Sequence, residues 1–214
     1  DNTIVVYTSA IPNDHQYFKY FQEREFKMYK RAELLEFISK DYKVIAVAGT
    51  HGKTTISIML AHILKSSGIN CNAFFGGISK NYNSNVLIGN SDIMIVEADE
   101  YDKSFLKLNP FISLVSSLDK DHGDIYKDIA TMIDYYQEFI DKTESFVIAN
   151  KKLAIPFDYS YSIDKSAEFY VSDISYSATV LNFVIHFPNN LSSKITLSFG
   201  CNHNIENALA ASSL

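Results

Sequence analysis

Cysteine is scarce in this 214-residue chain, which contains only Cys71 and Cys201. The two lie far apart and lack the spacing of metal-ligand pairs, which argues against a disulfide framework or a zinc site. The chain also lacks any run near the roughly 18 consecutive apolar residues that a membrane-spanning helix needs. We therefore expect a cytoplasmic protein with two free thiols and no contact with a membrane.

Positive charge is in short supply as well. The chain has 19 Lys and Arg against 25 Asp and Glu, for a formal net charge of -6. The basic residues are scattered, whereas a nucleic-acid surface needs many phosphate-neutralising cations together. We therefore expect no nucleic-acid partner. An anionic ligand would have to be bound by a local motif, since the chain has no broad basic surface.

What the chain does have is short apolar runs that alternate with helical patterns. The run at 44–48 is followed by apolar residues at helical spacing over 56–64, and 129–140 is strongly amphipathic. Such alternation predicts an α/β fold in which helices flank a mainly parallel sheet. From residue 167 onward, strands without intervening helices predict a small antiparallel sheet. The other expected elements are strands at 3–7, 69–75, 93–96, 111–115 and 146–149, and helices at 14–26 and 31–39.

The segment GTHGKTT at 49–55 lies between an expected buried strand and an amphipathic helix. In a phosphate-binding loop, glycines let backbone N–H groups approach an anion, a lysine meets the β and γ phosphates, and a hydroxyl ligates Mg²⁺. Val47 replaces the first glycine of the full motif, so the strand-loop-helix context carries the assignment. The expected ligand contacts are Gly49, Thr50, His51, Gly52, Lys53, Thr54 and Thr55, with solvent exposure as the alternative for His51.

Two acidic clusters follow other expected strands. Strand 93–96 runs into Glu-Ala-Asp-Glu at 97–100, and Asp-His at 121–122 follows strand 111–115. Ligands in sheets of this kind lie at the carboxyl ends of the strands, where a carboxylate can hold Mg²⁺. Glu97 is thus a candidate metal ligand, and His122 a candidate metal-facing or phosphate-facing residue. A solvated strand end and a histidine in a capped turn remain the alternatives.

A fourth cluster, NHNIEN at 202–207, opens the last expected helix. Asn204 suits the N-cap position of that helix, which needs no ligand. Side-chain amides can also read the edge of an adenine through paired donor and acceptor bonds. Both interpretations stay open for this segment.

Taken together, the segments at 49–55, 97–100, 121–122 and 203–207 resemble the Mur ligase family, in that order and over nearly the whole chain. The resemblance implies a three-domain enzyme with a P-loop central domain. Residues 1–40 would be the tail of the N-terminal uridine-nucleotide-binding domain and a linker, and 41–214 the central ATP-binding domain. The C-terminal ligase domain would be absent, so this chain alone would be inactive.

Within the family, the segments at 8–11, 76–81 and 97–106 look most like members that join L-alanine to UDP-N-acetylmuramate in peptidoglycan precursor synthesis. The resemblance then implies that ATP phosphorylates the sugar-nucleotide carboxylate and that the amine of L-alanine attacks the acyl phosphate. The alternatives are members that attach a recycled murein tripeptide, or a non-catalytic P-loop nucleotide-binding module. A GTPase is disfavoured, because Leu153 replaces the carboxylate that would follow Asn150-Lys151-Lys152.

The resemblance also implies roles for single residues and a monomer or weak dimer. Lys53 would be catalytic at the β and γ phosphates, and His122 catalytic near the acyl phosphate and a second metal. Thr54 and Glu97 would ligate one Mg²⁺. The segment before the adenine motif is one residue longer between Gly200 and His203 than is usual. The remaining expected contacts are His203, Asn204 and Asn207 with adenine, and Ser9 and Asn81 with the sugar nucleotide.

Overall fold

A computed structural model describes residues 3–8, 10–119, 128–198 and 202–214 of the chain. Its elements alternate between strands and helices in the first two thirds, as the sequence predicts. Among the described residues, no helix has both the length and the apolar character needed to cross a membrane. In chain order the elements are β1 (Ile4–Tyr7), α1 (Gln16–Glu23), β2 (Lys27–Lys30), α2 (Arg31–Ser39), β3 (Lys43–Ala48), α3 (Lys53–Ser66), β4 (Asn72–Ser79), β5 (Ser84–Leu87), β6 (Ile93–Ala98), a 3-10 segment (Tyr101–Lys107), β7 (Ile112–Val115), α4 (Ile129–Ile140), β8 (Phe146–Asn150), β9 (Tyr159–Ser162), β10 (Phe169–Tyr176), β11 (Leu181–His186), a short 3-10 turn (Pro188–Asn190), β12 (Ser192–Leu197) and α5 (Asn202–Ser213).

Ten strands form one sheet in the order β12-β11-β10-β9-β8-β7-β3-β6-β4-β5. Every pairing from β10 through to β4 is parallel. At one edge β5 runs antiparallel to β4, and at the other β11 and β12 continue the sheet as antiparallel strands. The predicted α/β fold with a mainly parallel sheet is therefore confirmed. The predicted antiparallel strands are present as an extension of that same sheet.

The sequence did not predict a second sheet, which is formed by β1 and β2 pairing in parallel. The helix expected over 14–26 ends at Glu23, because the chain turns at Glu25, whose φ is 55°, and the Phe26 N–H donates to the Phe21 carbonyl. The strand that follows spans only four residues, too few for a period-2 pattern to be distinctive.

The start of β4 also differs from the expected 69–75. Gly68 has a φ of 87°, and the N–H of Ile69 donates to the Leu64 carbonyl at 2.9 Å. Hydrogen bonds of this kind close the carboxyl end of a helix around a left-handed glycine. Ile69 therefore belongs to the end of α3, and the strand begins at Asn72 and continues to Ser79.

The core lies on both faces of the large sheet. Along β3, Ile45 and Val47 pack in the cluster that includes α3 and α5, whereas Val44, Ala46 and Ala48 pack in the cluster that includes α4. Because both faces are covered, the strand reads as a continuous apolar run with no polar alternation. The fold thus leaves the carboxyl ends of the strands as the place where polar segments gather.

Candidate functional site

The loop between β3 and α3 needs glycine at two positions. Gly49 has a φ of 125° and Gly52 a φ of 84°, values that side-chain-bearing residues rarely adopt. A β-carbon on Gly49 would also lie 2.2 Å from the Ser116 hydroxyl oxygen and 2.8 Å from the Ser117 amide nitrogen. The loop is therefore pressed against the residues that follow β7, and it ends where the N-terminus of α3 offers its free N–H groups to an anion.

Hydrogen bonds tie this loop to the segment after β7. The N–H of Thr50 donates to the Ser117 carbonyl at 3.0 Å, and the N–H of His51 donates to the Ser117 hydroxyl at 2.9 Å. In the other direction, the Ser116 hydroxyl donates to the His51 carbonyl at 2.5 Å, and the Asp119 N–H donates to the Thr50 hydroxyl at 2.9 Å. The exposed His51 ring lies 3.6 Å from the Asp119 carboxylate. The loop conformation is thus fixed by the neighbouring strand end.

Lys53, the first residue of α3, reaches back across the loop. Its Nζ donates to the Gly49 carbonyl at 2.6 Å and to Oε2 of Glu100 at 2.8 Å. The Lys53 side chain is 16% exposed and that of Glu100 only 3%. A buried carboxylate from the end of β6 therefore holds the ammonium group over the loop. The sequence singled out the lysine but not this partner.

Thr54 and Glu97 meet beside the same loop. The Thr54 hydroxyl donates to Oε2 of Glu97 at 2.9 Å, and the N–H of Gly76 on β4 donates to Oε1 at 2.5 Å. Burial raises the pKa of Glu97, and the hydrogen bonds from Gly76 and Thr54 offset part of that shift. Both carboxylate oxygens are thereby oriented. The predicted pair of Thr54 and Glu97 is in fact brought together.

This pair fits a magnesium ion. Octahedral Mg²⁺ binds oxygens at about 2.0–2.1 Å, which places neighbouring ligands about 2.9 Å apart. The Thr54 and Glu97 oxygens have this separation. Among the residues that the structure describes, no group of three or more His, Cys, Asp or Glu side chains forms a metal cage. A hard cation held by one carboxylate, one hydroxyl, water and phosphate is the arrangement that the donor set suits.

Helix α5 approaches the loop from its other side. A β-carbon on Gly52 would lie 2.6 Å from the side-chain oxygen of Asn207, so this amide contacts the loop. The helix begins at Asn202, whose side chain accepts a hydrogen bond from the Tyr176 hydroxyl. The suggestion that Asn204 is the N-cap is therefore wrong, because Asn204 lies inside the first turn. His203 is exposed and Asn204 half-buried.

A cavity of about 320 Å³ opens beside Lys53 and Glu97. Its walls come from α2, β4, β5 and β6, and most of them are apolar. Two polar side chains on these walls, Arg31 and Asn85, were not predicted. A sequence signal existed only for Gly76, because a glycine inside a strand often marks a close approach. The lining residues are Arg31, Leu34, Leu35, Ile38, Lys53, Phe74, Phe75, Gly76, Asn85, Val86, Val96, Glu97 and Asp99.

Not every predicted residue can be placed in this arrangement. Ser9 and His122 lie outside the described residues. Asn81 is exposed in the turn between β4 and β5 and is not among the residues that line the cavity. Thr55, the third residue of α3, is half-buried beside Thr54. The described site therefore consists of the loop, Lys53, Thr54, Glu97, Glu100, Gly76 and Asn207.

Comparisons with known proteins give matches over most of the chain. A family model described as the Mur ligase middle domain matches residues 47–214. The UDP-N-acetylmuramate–L-alanine ligase of Porphyromonas gingivalis is 40% identical over 222 aligned residues, which cover 98% of this chain and 48% of that protein. The chain thus spans about half the length of this relative.

Solved structures give the same picture of the fold. The UDP-N-acetylmuramate–alanine ligase of Thermotoga maritima superposes with a TM-score of 0.85 at 22% identity, over 97% of this chain and 49% of that one. A UDP-N-acetylmuramate:L-alanyl-γ-D-glutamyl-meso-diaminopimelate ligase from Neisseria meningitides gives 0.80 at 20% identity, over 96% and 72%.

Proposed function

The chain belongs to the Mur ligase family, and from this premise we propose that it is the ATP-binding core of an enzyme that joins L-alanine to UDP-N-acetylmuramate. Residues 1–40 would end an N-terminal uridine-nucleotide-binding domain and its linker, and 41–214 would form the central domain. The product would be a peptidoglycan precursor, made in the cytoplasm and needed for cell shape and division. The relatives are about twice as long as this chain, which leaves room for the C-terminal domain that we propose for the full-length enzyme.

The proposed reaction begins with transfer of the γ-phosphoryl group of ATP. An oxygen of the sugar-nucleotide carboxylate attacks the γ phosphorus, ADP leaves, and an acyl phosphate forms. The amine of L-alanine then attacks the acyl carbon, phosphate leaves, and an amide remains. Phosphoryl transfer of this kind depends on positioning and on neutralising charge. Bound Mg²⁺, held by Thr54 and Glu97, would neutralise charge on the phosphates.

The chain's own groups would supply the positioning. The N–H groups at the start of α3 would face the phosphates, and the Lys53 ammonium, held at the Gly49 carbonyl, would lie beside the β and γ groups. His122 is proposed to act near the acyl phosphate with a second metal. The cavity beside Lys53 and Glu97 offers the acyl donor an approach, with a cation from Arg31 and an amide from Asn85 on its walls.

Adenine is the base that we propose for the nucleotide. The contact between Asn207 and Gly52 places an amide at the edge of the loop, and His203 and Asn204 precede it on the same helix. The GTPase alternative lacks support at Asn150, whose side-chain oxygen accepts a hydrogen bond from the backbone N–H of Lys152. A clear preference for GTP over ATP in a binding assay with Mg²⁺ would contradict this proposal.

The observation that carries the proposal is that Lys53 and Glu97 line one cavity and that the Thr54 hydroxyl is hydrogen-bonded to Glu97. The test uses the full-length enzyme with ATP, UDP-N-acetylmuramate and L-alanine, and follows phosphate release. We expect release only when both the sugar nucleotide and L-alanine are present. Release without the sugar nucleotide, or none with the complete mixture, would contradict the assignment.

A substrate panel separates this function from its two alternatives. Replacing L-alanine with the murein tripeptide L-alanyl-γ-D-glutamyl-meso-diaminopimelate tests the alternative that the enzyme attaches a recycled tripeptide. The Neisseria protein, which shares the fold of this chain, is named for that tripeptide. Faster phosphate release with the tripeptide would favour that activity. ATP binding without release under either condition would favour a non-catalytic nucleotide-binding module.

A further inference from the structure

Glu100 is a buried carboxylate for which the proposed reaction has no role. Only 2% of the residue is exposed, and its Oε2 lies 2.8 Å from Nζ of Lys53. Removing a carboxylate from water is costly unless a cation and hydrogen bonds compensate for the lost hydration. We propose that Glu100 is the positioning residue of Lys53, which fixes the ammonium over the loop and at the same time limits its attraction for nucleotide.

The geometry supports the role of Glu100 in positioning Lys53. Nζ of Lys53 has three N–H donors, and two of them point to Glu100 and to the Gly49 carbonyl. Within the described part of the chain this leaves one donor, and Lys53 lines the cavity beside the loop. The ammonium is thus held from two sides before any ligand arrives, with one donor left for a phosphate oxygen.

The charges support the role of Glu100 in limiting nucleotide affinity. An approaching phosphate meets an ammonium that a neighbouring carboxylate already neutralises, and the same carboxylate repels the phosphate across the lysine. Both groups are largely withdrawn from solvent, so salt and water screen this repulsion only weakly. Neutralising Glu100 should therefore strengthen nucleotide binding, while a less firmly held ammonium slows phosphoryl transfer. A residue needed only for folding would weaken both when it is changed.

Asp99 provides a matched control. It adjoins Glu100 in the sequence and lines the same cavity as Lys53, but its carboxylate accepts a hydrogen bond from the Tyr101 N–H at 3.1 Å. Asp99→Asn removes the same charge from the same strand end without touching the partner of Lys53. A general effect of negative charge near the phosphates would appear in both variants, whereas the proposed effect belongs to Glu100 alone.

The experiment compares Glu100→Gln, Asp99→Asn and the unchanged full-length protein. Calorimetry gives the ADP affinity with and without Mg²⁺, and phosphate release gives kcat. We expect Glu100→Gln to bind ADP about tenfold more tightly, with a lower kcat, and Asp99→Asn to stay within about twofold in affinity. An unchanged or weaker ADP affinity in Glu100→Gln, or equal strengthening in Asp99→Asn, would overturn the proposal.

Glu100→Asp keeps the test decisive if the glutamine variant does not fold. It retains the charge but withdraws it from Lys53 by one methylene group, so we expect an affinity gain of only about two- to threefold together with a lower kcat. An unchanged kcat would contradict the positioning role. Because the proposal rests on the proposed function only through nucleotide binding, its affinity test stands even if the substrate panel rejects L-alanine.

Discussion

Thr54 and Glu97 lie 43 positions apart in the sequence, yet a hydrogen bond of 2.9 Å joins their side chains. The contact follows from the topology, because β3 and β6 pair in parallel up to the register Ala48↔Ala98. The chain leaving β3 forms the loop and enters α3 at Lys53, with Thr54 as its second residue. On the neighbouring strand β6, Glu97 is the residue before the last, and its side chain lies beside Thr54. Neighbouring parallel strands therefore assemble the candidate magnesium site from two distant segments.

Glu97→Gln should make nucleotide binding much less dependent on magnesium. The amide keeps the size of the side chain but removes the negative charge that a hard cation requires. We expect the gain in ADP affinity that Mg²⁺ gives the unchanged protein to shrink by about tenfold or more. Titration of Mg²⁺ at fixed ADP measures this, and ADP affinity without metal is the internal control. The same magnesium titration in the variant and the unchanged protein would count against this role for Glu97.

Gly76→Ala should disturb the same site, because a β-carbon there would lie 2.7 Å from Oε2 of Glu97 and 3.2 Å from the Thr54 hydroxyl oxygen. The carboxylate has to move, and the hydrogen bond from the Gly76 N–H weakens. Gly77→Ala is the matched control, since its β-carbon would make only an ordinary contact of 3.6 Å with Thr54. We expect weaker binding of Mn²⁺, followed by electron paramagnetic resonance, in Gly76→Ala alone. Equal losses in both variants would mean that the effect is not specific to Glu97.

Lys53→Ala should abolish ATP turnover and lower stability. The change removes the cation at the phosphates and breaks the buried ion pair with Glu100, which costs about 3–5 kcal/mol. Lys43→Ala breaks a pair of similar length with Asp92, 2.9 Å, but both side chains are more than half exposed. Solvent screens that exposed pair, so breaking it should lower the stability much less. Urea denaturation of both variants compares the losses, and phosphate release tests turnover. Retained turnover in Lys53→Ala would show that the phosphates lie elsewhere.

Glu168 gives the stability of the chain a dependence on pH. Hydrogen bonds from the Ser160 hydroxyl and N–H, at 2.5 and 2.8 Å, hold the pKa of Glu168 below its ordinary value of 4.5. The folded state therefore binds the proton more weakly than the unfolded state, so this contribution is present above pH 4.5 and is lost as the pH falls through the folded pKa. Glu168→Gln should remove it.

Urea midpoints measured from pH 3 to pH 7 check this prediction. The difference in midpoint between the unchanged protein and Glu168→Gln should be largest at pH 7 and should narrow on acidification below about pH 4.5. Ser160→Ala keeps the backbone donor to Glu168. The difference in midpoint between the unchanged protein and Ser160→Ala should therefore narrow over the same pH range, but by a smaller amount. A difference that stays constant with pH would contradict the assigned cause.

The sequence predicts the sheet and the phosphate-binding loop well because both depend on local patterns. An apolar run followed by glycine and an amphipathic helix identifies β3, the loop and α3 without any long-range information. Strand β2 was missed, since four residues carry too little periodicity, and the start of β4 was misplaced because Gly68 ends the preceding helix. The error in β4 lies at an element boundary, where turn geometry overrides local propensity.

The site was predictable only where a residue type has a restricted chemistry. Lys53, Thr54 and Glu97 could be named because phosphate and magnesium need their groups after a strand. Glu100 was overlooked as a partner of Lys53, since the pairing depends on which of two neighbouring carboxylates turns inward. Arg31 comes from a helix that precedes the sheet, and its place on the cavity wall follows from tertiary packing alone.

The hydrogen bonds between the loop and the end of β7 bear on how fast and how favourably a ligand associates. A loop that must order itself around its ligand loses conformational entropy at that moment, at about 1–2 kcal/mol per residue. Here the hydrogen bonds with Ser116 and Ser117 already order the loop backbone, so its conformational entropy is lost when the chain folds and not when the ligand binds. Association can then proceed as the docking of an anion on a rigid surface, limited by encounter and by release of water.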